Sequence, residues 1–258
     1  MSPHLRRLSV SLIAVTLAGT GLVAPTASAA PAVKADPRLI VLDGTDNTRT
    51  FATYRTTDGY SLNLRVIRSD NLSELTRGDE QKLARRDVAT VVDLRTAVER
   101  QLQPDRPVPH ARHYDEDIFG DHLAEAVNLD SAYAFFVTDP GARAGFARTL
   151  RLVSATLGQG RAALFHCSAG KDRTGWAAAM LLTIAGVDRA TVERDYLASN
   201  FFRHTTPADP LQGVRLSWLR TSFDTANRRF GSFDGYLRAG LHLSDAEITT
   251  LRQRLRIA

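Results

Sequence analysis

Ala163-Leu164-Phe165-His166-Cys167-Ser168-Ala169-Gly170-Lys171-Asp172-Arg173-Thr174-Gly175 is the stretch that decides the reading of this chain. Arg161 to Phe165 is an apolar run behind Gly158 and Gly160, which predicts a buried central strand. Thr174 to Ala185 is Ala-rich and apolar, which predicts a helix starting directly behind Arg173. A short loop between such a strand and such a helix turns successive backbone N–H groups toward one centre. The helix N-terminus adds its unpaired N–H groups and the positive end of its dipole. The expected result is a nest for a tetrahedral oxyanion, built on the N–H groups of Ser168, Ala169, Gly170, Lys171, Asp172 and Arg173. Arg173 closes the ring with a bidentate contact to two anion oxygens.

Cys167 falls at the floor of that nest. A field that holds an anion also holds a thiolate, and cysteines at helix N-termini drop from about 8.5 to roughly 3.5–7.5. The Thr174 hydroxyl is placed to donate to the sulfur. His166 is read as orienting the backbone around Cys167 through hydrogen bonds, not as a base. The competing structural reading of Cys167 is a buried core cysteine. It is weakened because this is the single cysteine of the chain and it sits at a strand-to-helix turn.

These residues resemble the cysteine-dependent protein tyrosine phosphatases, whose defining pattern is His-Cys, five residues, then Arg. Within them the chain looks closest to the bacterial secreted branch, whose loop reads His-Cys-x-Ala-Gly-Lys-Asp-Arg-Thr-Gly. His166 to Gly175 match every fixed position. The resemblance extends to Asn47–Gly59, Arg68-Ser69, Val92-Asp93-Leu94-Arg95, Asp195-Tyr196 and Ser199-Asn200, and so covers nearly all of residues 38–258. Thr48, Thr50 and Ala52-Thr53 depart from the branch's usual Phe, Asp and Gly-Gly.

The resemblance implies a tyrosine-phosphatase-like α/β fold with a small, mainly parallel central sheet flanked by helices. It implies hydrolysis of phosphomonoesters through a cysteinyl-phosphate, with no metal and no cofactor. Phosphotyrosine in a protein or peptide is the expected substrate. Phosphoinositides are the alternative, favoured by Lys171, and would bring only transient membrane contact. A rhodanese-like sulfurtransferase and a catalytically silent phosphate-binding module are the competing readings. Arg173 and the Thr174-Gly175 helix start argue against the former.

A general acid must protonate the leaving oxygen. The resemblance offers two: Asp93, ending the predicted strand Val88–Leu94, and Asp172, inside the loop. Their bland readings are an ion pair of Asp93 with Arg95 and a loop-bracing acceptor for Asp172. Asp139 reads as a helix cap. The run His113, Asp115, Glu116, Asp117, Asp121 and His122 has no standard zinc or calcium spacing and is read as a solvated lid loop.

The remaining chain supports the same class. It has 258 residues, 43% hydrophobic and 24% charged, which fits one globular domain over 30–258 and excludes long disorder. The net charge is +5, with 30 arginines against three lysines. The arginines are scattered, so nucleic-acid binding is not expected. Met1–Ala29 reads as a secretory signal: Arg6-Arg7, an apolar stretch from Leu8, and Ala27-Ser28-Ala29 as the cleavage pattern. The chain is therefore expected outside the cytoplasm, secreted or in the cell envelope.

Further expected strands are Arg38–Asp43 and Leu62–Arg68. Expected helices are Ser73–Arg86, with Asp79, Glu80, Lys82 and Arg85 exposed, then Leu123–Val137, Ala142–Leu157, Ala190–Ala198, Leu216–Asn227 and Ser244–Leu255. Pro104–Asp121 is expected to be loop.

Overall fold

In the computed structural model, residues 36–122, 128–209 and 211–257 are described. The leader Met1–Ala29 and the first residues of the helix expected from Leu123 lie outside them.

The centre of the molecule is β5 (Ala162–His166), in which every residue is buried. Beside it lie β3 (Val88–Asp93) and β2 (Val66–Ser69), with β4 (Arg112–Asp115) outermost. The order is β2-β5-β3-β4 and all pairs are parallel. Strands covered on both faces read as unbroken apolar runs, which is why the sequence of β3 and β5 shows no polar alternation. Ala163 and Phe165 face one core, Ala162 and Leu164 the other, as the two-residue period of a strand requires.

The smaller core is covered by α1 (Arg77–Arg85) and by Ile40 and Leu42. The larger is covered by α3 (Leu129–Thr138), α4 (Pro140–Gly158), α5 (Arg173–Ala185), α6 (Arg189–Phe202), α7 (Leu216–Phe230) and α8 (Asp245–Leu255). The short α2 (Ala97–Leu102) follows β3. All of α5 but Thr183 is buried, with α4, α6 and α8 packed against it. Asp139 caps α4, accepting from Ala142 N at 2.8 Å, with Pro140 opening the helix. Ser244 and Glu247 form the expected capping box on α8. Among the described residues, no helix is long and apolar enough to cross a membrane.

Several expectations are corrected. Arg38–Asp43 is not a strand; it makes a single bridge, Leu39 to Arg49. Leu62–Arg68 is broken at Asn63, whose Oδ1 accepts from Arg65 N and whose Nδ2 donates to Arg254 O. The first piece, β1 (Ser61–Leu62), instead pairs antiparallel with β6 (Arg256–Ile257). Pro104–Asp121 contains β4, hidden from sequence reasoning because an edge strand with mostly exposed, polar residues carries no apolar signal. Asp79 is fully buried, not exposed: its carboxylate accepts from Asp43 N and Gly44 N while boxing Thr76 at the start of α1.

Thr53, standing where the resembled branch has glycine, has φ of 73°. A β-branched residue in the left-handed region is strained by about 1–3 kcal/mol. Thr53→Gly is expected to raise stability by about 1 kcal/mol after its entropic cost, or roughly 2–4 °C in Tm for a domain of this size. An unchanged or lowered melting temperature would show that Thr53 carries no strain.

Candidate active site

The loop from Cys167 to Arg173 joins β5 to α5, and its carbonyls show how it is folded. Ser168 O accepts from Asn71 N at 3.2 Å and Asn71 Nδ2 at 3.1 Å. Ala169 O accepts from Asn47 Nδ2 and Arg203 Nη1, each at 3.1 Å. Gly170 O accepts from Asn47 Nδ2 at 3.0 Å and Arg68 Nη2 at 2.8 Å. Three successive carbonyls are thus tied outward to side chains of the surrounding scaffold. A peptide whose C=O points out turns the next N–H the other way, so the scaffold sets the N–H groups of Ala169 to Lys171 toward the loop's interior. Gly170 has φ of 64°, and a Cβ there would lie 2.6 Å from Asp70 N and Ser69 O. Only glycine lets the loop sit against the end of β2.

The segments matching the resembled branch form that scaffold. Arg68 pairs with Asp195 at 2.5 Å, and Arg49 donates to Asp195 O at 2.9 Å. Ser199 Oγ accepts from both arginines. Burial works against the Asp195 carboxylate, but Arg49 and Arg68 outweigh it and hold its pKa below the usual range. Asn200 closes a reciprocal pair with the backbone of Val214. At the departures, Thr48 Oγ1 lies 2.6 Å from Ser69 Oγ and so still braces the end of β2.

Cys167 is 2% exposed. Burial alone would raise its pKa; the charge of Arg173 and hydrogen bonds from the hydroxyl and backbone N–H of Thr174 reverse this and lower it. The sulfur sits at the start of a helix, in surroundings that favour its ionised form over the neutral thiol. His166 is fully buried, its Nε2 3.0 Å from Asp105 Oδ2 and its Nδ1 3.4 Å from Cys167 O. Burial disfavours its charge, yet the bond to Asp105 and the nearby Asp93 raise its pKa. It braces the backbone below the sulfur.

Arg173 is held by a residue the sequence reading missed. Glu99 on α2 accepts from Arg173 Nη1 and Nη2, each at 2.7 Å, and from Ser168 Oγ at 2.5 Å. Its Oε2 also caps α2 through Thr96 N. Burial pushes Glu99 up, but the Arg173 bonds bring it down to about 2, so it stays ionised and cannot serve as an acid near neutrality. Arg173 Nε is buried and has no hydrogen-bond partner among the described residues, which leaves it available to a bound anion.

Of the two candidate acids, Asp172 lies in the loop beside Arg173 and Asp93 ends β3. Asp93 is taken by Arg95: Nε donates to both carboxylate oxygens, Nη2 to Oδ2 at 2.7 Å, and the Arg95 N–H to Oδ1. It is 3% exposed, with Oδ1 3.9 Å from His166 Nε2. Asp93 is thus found in the ion pair with Arg95, the bland alternative named for it in the sequence. Asp93, Asp105 and His166 lie at metal-ligand spacing, but Arg95, donating to both carboxylates, already supplies the cation. Asp172 sits beside Arg173; its Oδ1 accepts from Tyr133 at 2.6 Å and its Oδ2 lies 2.8 Å from Lys171 Nζ. Lys171 is 3% exposed and 5.7 Å above the Trp218 ring, so it is not a solvated loop lysine.

Within the acidic run, His113 and Asp115 lie on β4 and, like Asp121 and His122, are exposed, whereas the residues between them are tied to the fold. Glu116 is buried against Arg148 at 2.7 Å, and Asp117 closes a turn on Phe119 N and Gly120 N. Phe119 is buried between Phe135 and Phe136, with the Arg173 guanidinium 5.0 Å from its ring.

A family model described as "Tyrosine phosphatase family" matches residues 40–257. Among curated proteins, the triple specificity protein phosphatase PtpB of Mycobacterium tuberculosis is 27% identical over 248 residues, covering 73% of this chain and 89% of that protein. A tyrosine-protein phosphatase of Nostoc commune is 28% identical over 219 residues, 73% of each chain. Among solved structures, TpbA of P. aeruginosa in complex with phosphotyrosine matches with a TM-score of 0.39 and 19% identity, over 75% of this chain and 99% of that one.

Proposed function

This chain belongs to the tyrosine phosphatase family, and from that premise we propose that it hydrolyses phosphomonoesters, phosphotyrosine foremost, through a cysteinyl-phosphate on Cys167. The observation that carries the reading is the outward anchoring of the Ser168, Ala169 and Gly170 carbonyls, which leaves N–H groups and an Arg173 Nε unpartnered among the described residues around a sulfur whose pKa is lowered.

The Cys167 sulfur attacks phosphorus in line. The backbone N–H groups of Ser168 to Arg173 and the Arg173 guanidinium take the equatorial oxygens, where charge sits in the transition state. The ester P–O bond breaks and the leaving oxygen takes a proton from Asp172. Water then attacks phosphorus, giving its proton to the Asp172 carboxylate, and the S–P bond breaks to release phosphate and the thiolate. Thr174, hydrogen-bonded to the sulfur, stabilises it as it leaves.

The relatives are named for tyrosine and triple specificity. A broader range, including phosphoinositide headgroups, is favoured by the Lys171 ammonium placed beside Asp172 at the loop. The apolar leader with its Ala27-Ser28-Ala29 pattern supports export, with the phosphatase domain acting outside the cytoplasm after cleavage near Ala29.

The test is a substrate panel on the chain lacking Met1–Ala29, run with a metal chelator present. Phosphotyrosine peptide is expected to turn over faster than phosphoserine peptide or phosphoinositide. Binding of phosphotyrosine without phosphate release would instead identify a silent module. For the acid, Asp172→Asn is expected to lose about 10²-fold in kcat/KM on phosphotyrosine peptide, yet little on p-nitrophenyl phosphate, whose leaving group needs no proton. Asp93→Asn, which breaks the pair with Arg95, is expected to reduce both substrates alike. The reverse pattern would restore Asp93 as the acid.

A further inference from the structure

We infer that Tyr133 is a positioning residue for the acid: its hydroxyl pins Oδ1 of Asp172, so that Oδ2 is the oxygen exchanging the proton with the substrate. This rests on the reading of Asp172 as the acid.

Tyr133 projects from α3 and is fully buried. Its hydroxyl oxygen lies 2.6 Å from Asp172 Oδ1 and 2.6 Å from the Tyr196 hydroxyl. A carboxylate only accepts, so the single Tyr133 proton goes to Asp172, and Tyr196 must donate to Tyr133. The chain has one direction: Tyr196 to Tyr133 to Asp172. Burial drives both phenols well above their ordinary pKa, so both keep their protons at neutral pH.

The Tyr133 ring has little freedom. It stacks on Trp218 at 6.0 Å between centroids and packs against Phe136 and Tyr196. Trp218 is fixed in turn by its Nε1 donating to Asp130 at 2.7 Å, and Ser222 Oγ donates to Tyr133 O at 2.7 Å. Oδ1 therefore faces a rigid donor. Oδ2 lies 2.8 Å from Lys171 Nζ, the end of an unbranched side chain rather than a hydroxyl on a packed ring. Turning the carboxyl to exchange its oxygens would break the Tyr133 bond. In the first step the Oδ2 proton passes to the leaving oxygen as the ester P–O bond breaks. In the second, Oδ2 takes a proton from the attacking water. Oδ1 accepts from Tyr133 throughout.

Tyr133→Phe removes the hydroxyl and keeps the ring. The expected result is a loss of about tenfold in kcat/KM on phosphotyrosine peptide, with p-nitrophenyl phosphate within about twofold of the parent. Placed on Asp172→Asn, the same change is expected to cost nothing further. A merely structural role would lower both substrates together. An equal loss on both, no loss on either, or an additive loss on Asp172→Asn overturns the assignment. Asp172→Asn alone separates the two readings. If it shows the selective loss and Tyr133→Phe does not, only the positioning role fails; if it shows none, the acid fails and the positioning role with it. Should Tyr133→Phe not fold, Tyr196→Phe carries the test, with a smaller loss of the same selectivity expected and a flat result overturning the chain.

Discussion

Replacing Cys167 with serine is expected to remove turnover by about 10⁵-fold or more while inorganic phosphate and phosphotyrosine still bind. The two functions come from different atoms. Binding uses backbone N–H groups whose direction is fixed by Asn47, Arg68, Asn71 and Arg203 on the loop carbonyls, together with Arg173. Attack uses the sulfur alone. A serine hydroxyl is far less acidic than a thiol, and the local field that lowers the thiol's pKa is too weak to ionise it near neutrality. Isothermal titration with phosphate and a single-turnover assay on phosphotyrosine peptide read the two functions separately. A serine variant with parent-like turnover would remove Cys167 as nucleophile, and one that no longer binds phosphate would place the binding energy elsewhere.

Arg173→Lys is the second large effect, with a loss on the order of 10³–10⁵-fold in kcat expected although the charge is kept. Arg173 is held as a planar fork: Nη1 and Nη2 lie on the two Glu99 oxygens, and its Nε has no hydrogen-bond partner among the described residues. A lysine ammonium cannot span the Glu99 carboxylate and present a second parallel donor to the phosphoryl oxygens. Because Arg173 is the leading influence holding the Cys167 pKa down, moving the charge also raises that pKa, so alkylation of Cys167 at neutral pH slows in the same variant. Glu99→Gln keeps the hydrogen-bonding shape and should cost less than the arginine change. A lysine variant within tenfold of the parent would show that the guanidinium geometry is not used.

The cradle was legible in sequence because it is local. A strand, a turn, a required glycine and a helix start lie within His166–Gly175, and neighbouring residues cannot avoid each other. What was not legible is whatever arrives from elsewhere in the chain. Thr96 and Glu99 show a capping box, yet nothing in it announces that the same carboxylate grips Arg173, 74 residues on. Tyr133 reads as one more apolar position of a helix until Asp172 is found at its hydroxyl. Asp93 misled for a related reason. The end of a parallel strand is where site residues are expected, but Arg95, two residues away, folds back onto it. Asp79 looked exposed by periodicity alone, because its partners Asp43 N and Gly44 N belong to another segment. The match of Asn47, Arg49, Arg68, Asp195 and Ser199 to the resembled branch was visible, but its physical meaning, an outer frame holding the loop carbonyls, needed coordinates.

The claim beneath all of this is an ionised sulfur inside a ring of donors. Alkylation of the folded protein by iodoacetamide, followed against pH with and without inorganic phosphate, tests it most directly. The thiol is expected to titrate clearly below about 8.5 and to be protected when phosphate fills the loop. A thiol that titrates like free cysteine and reacts at the same rate with phosphate present would contradict it.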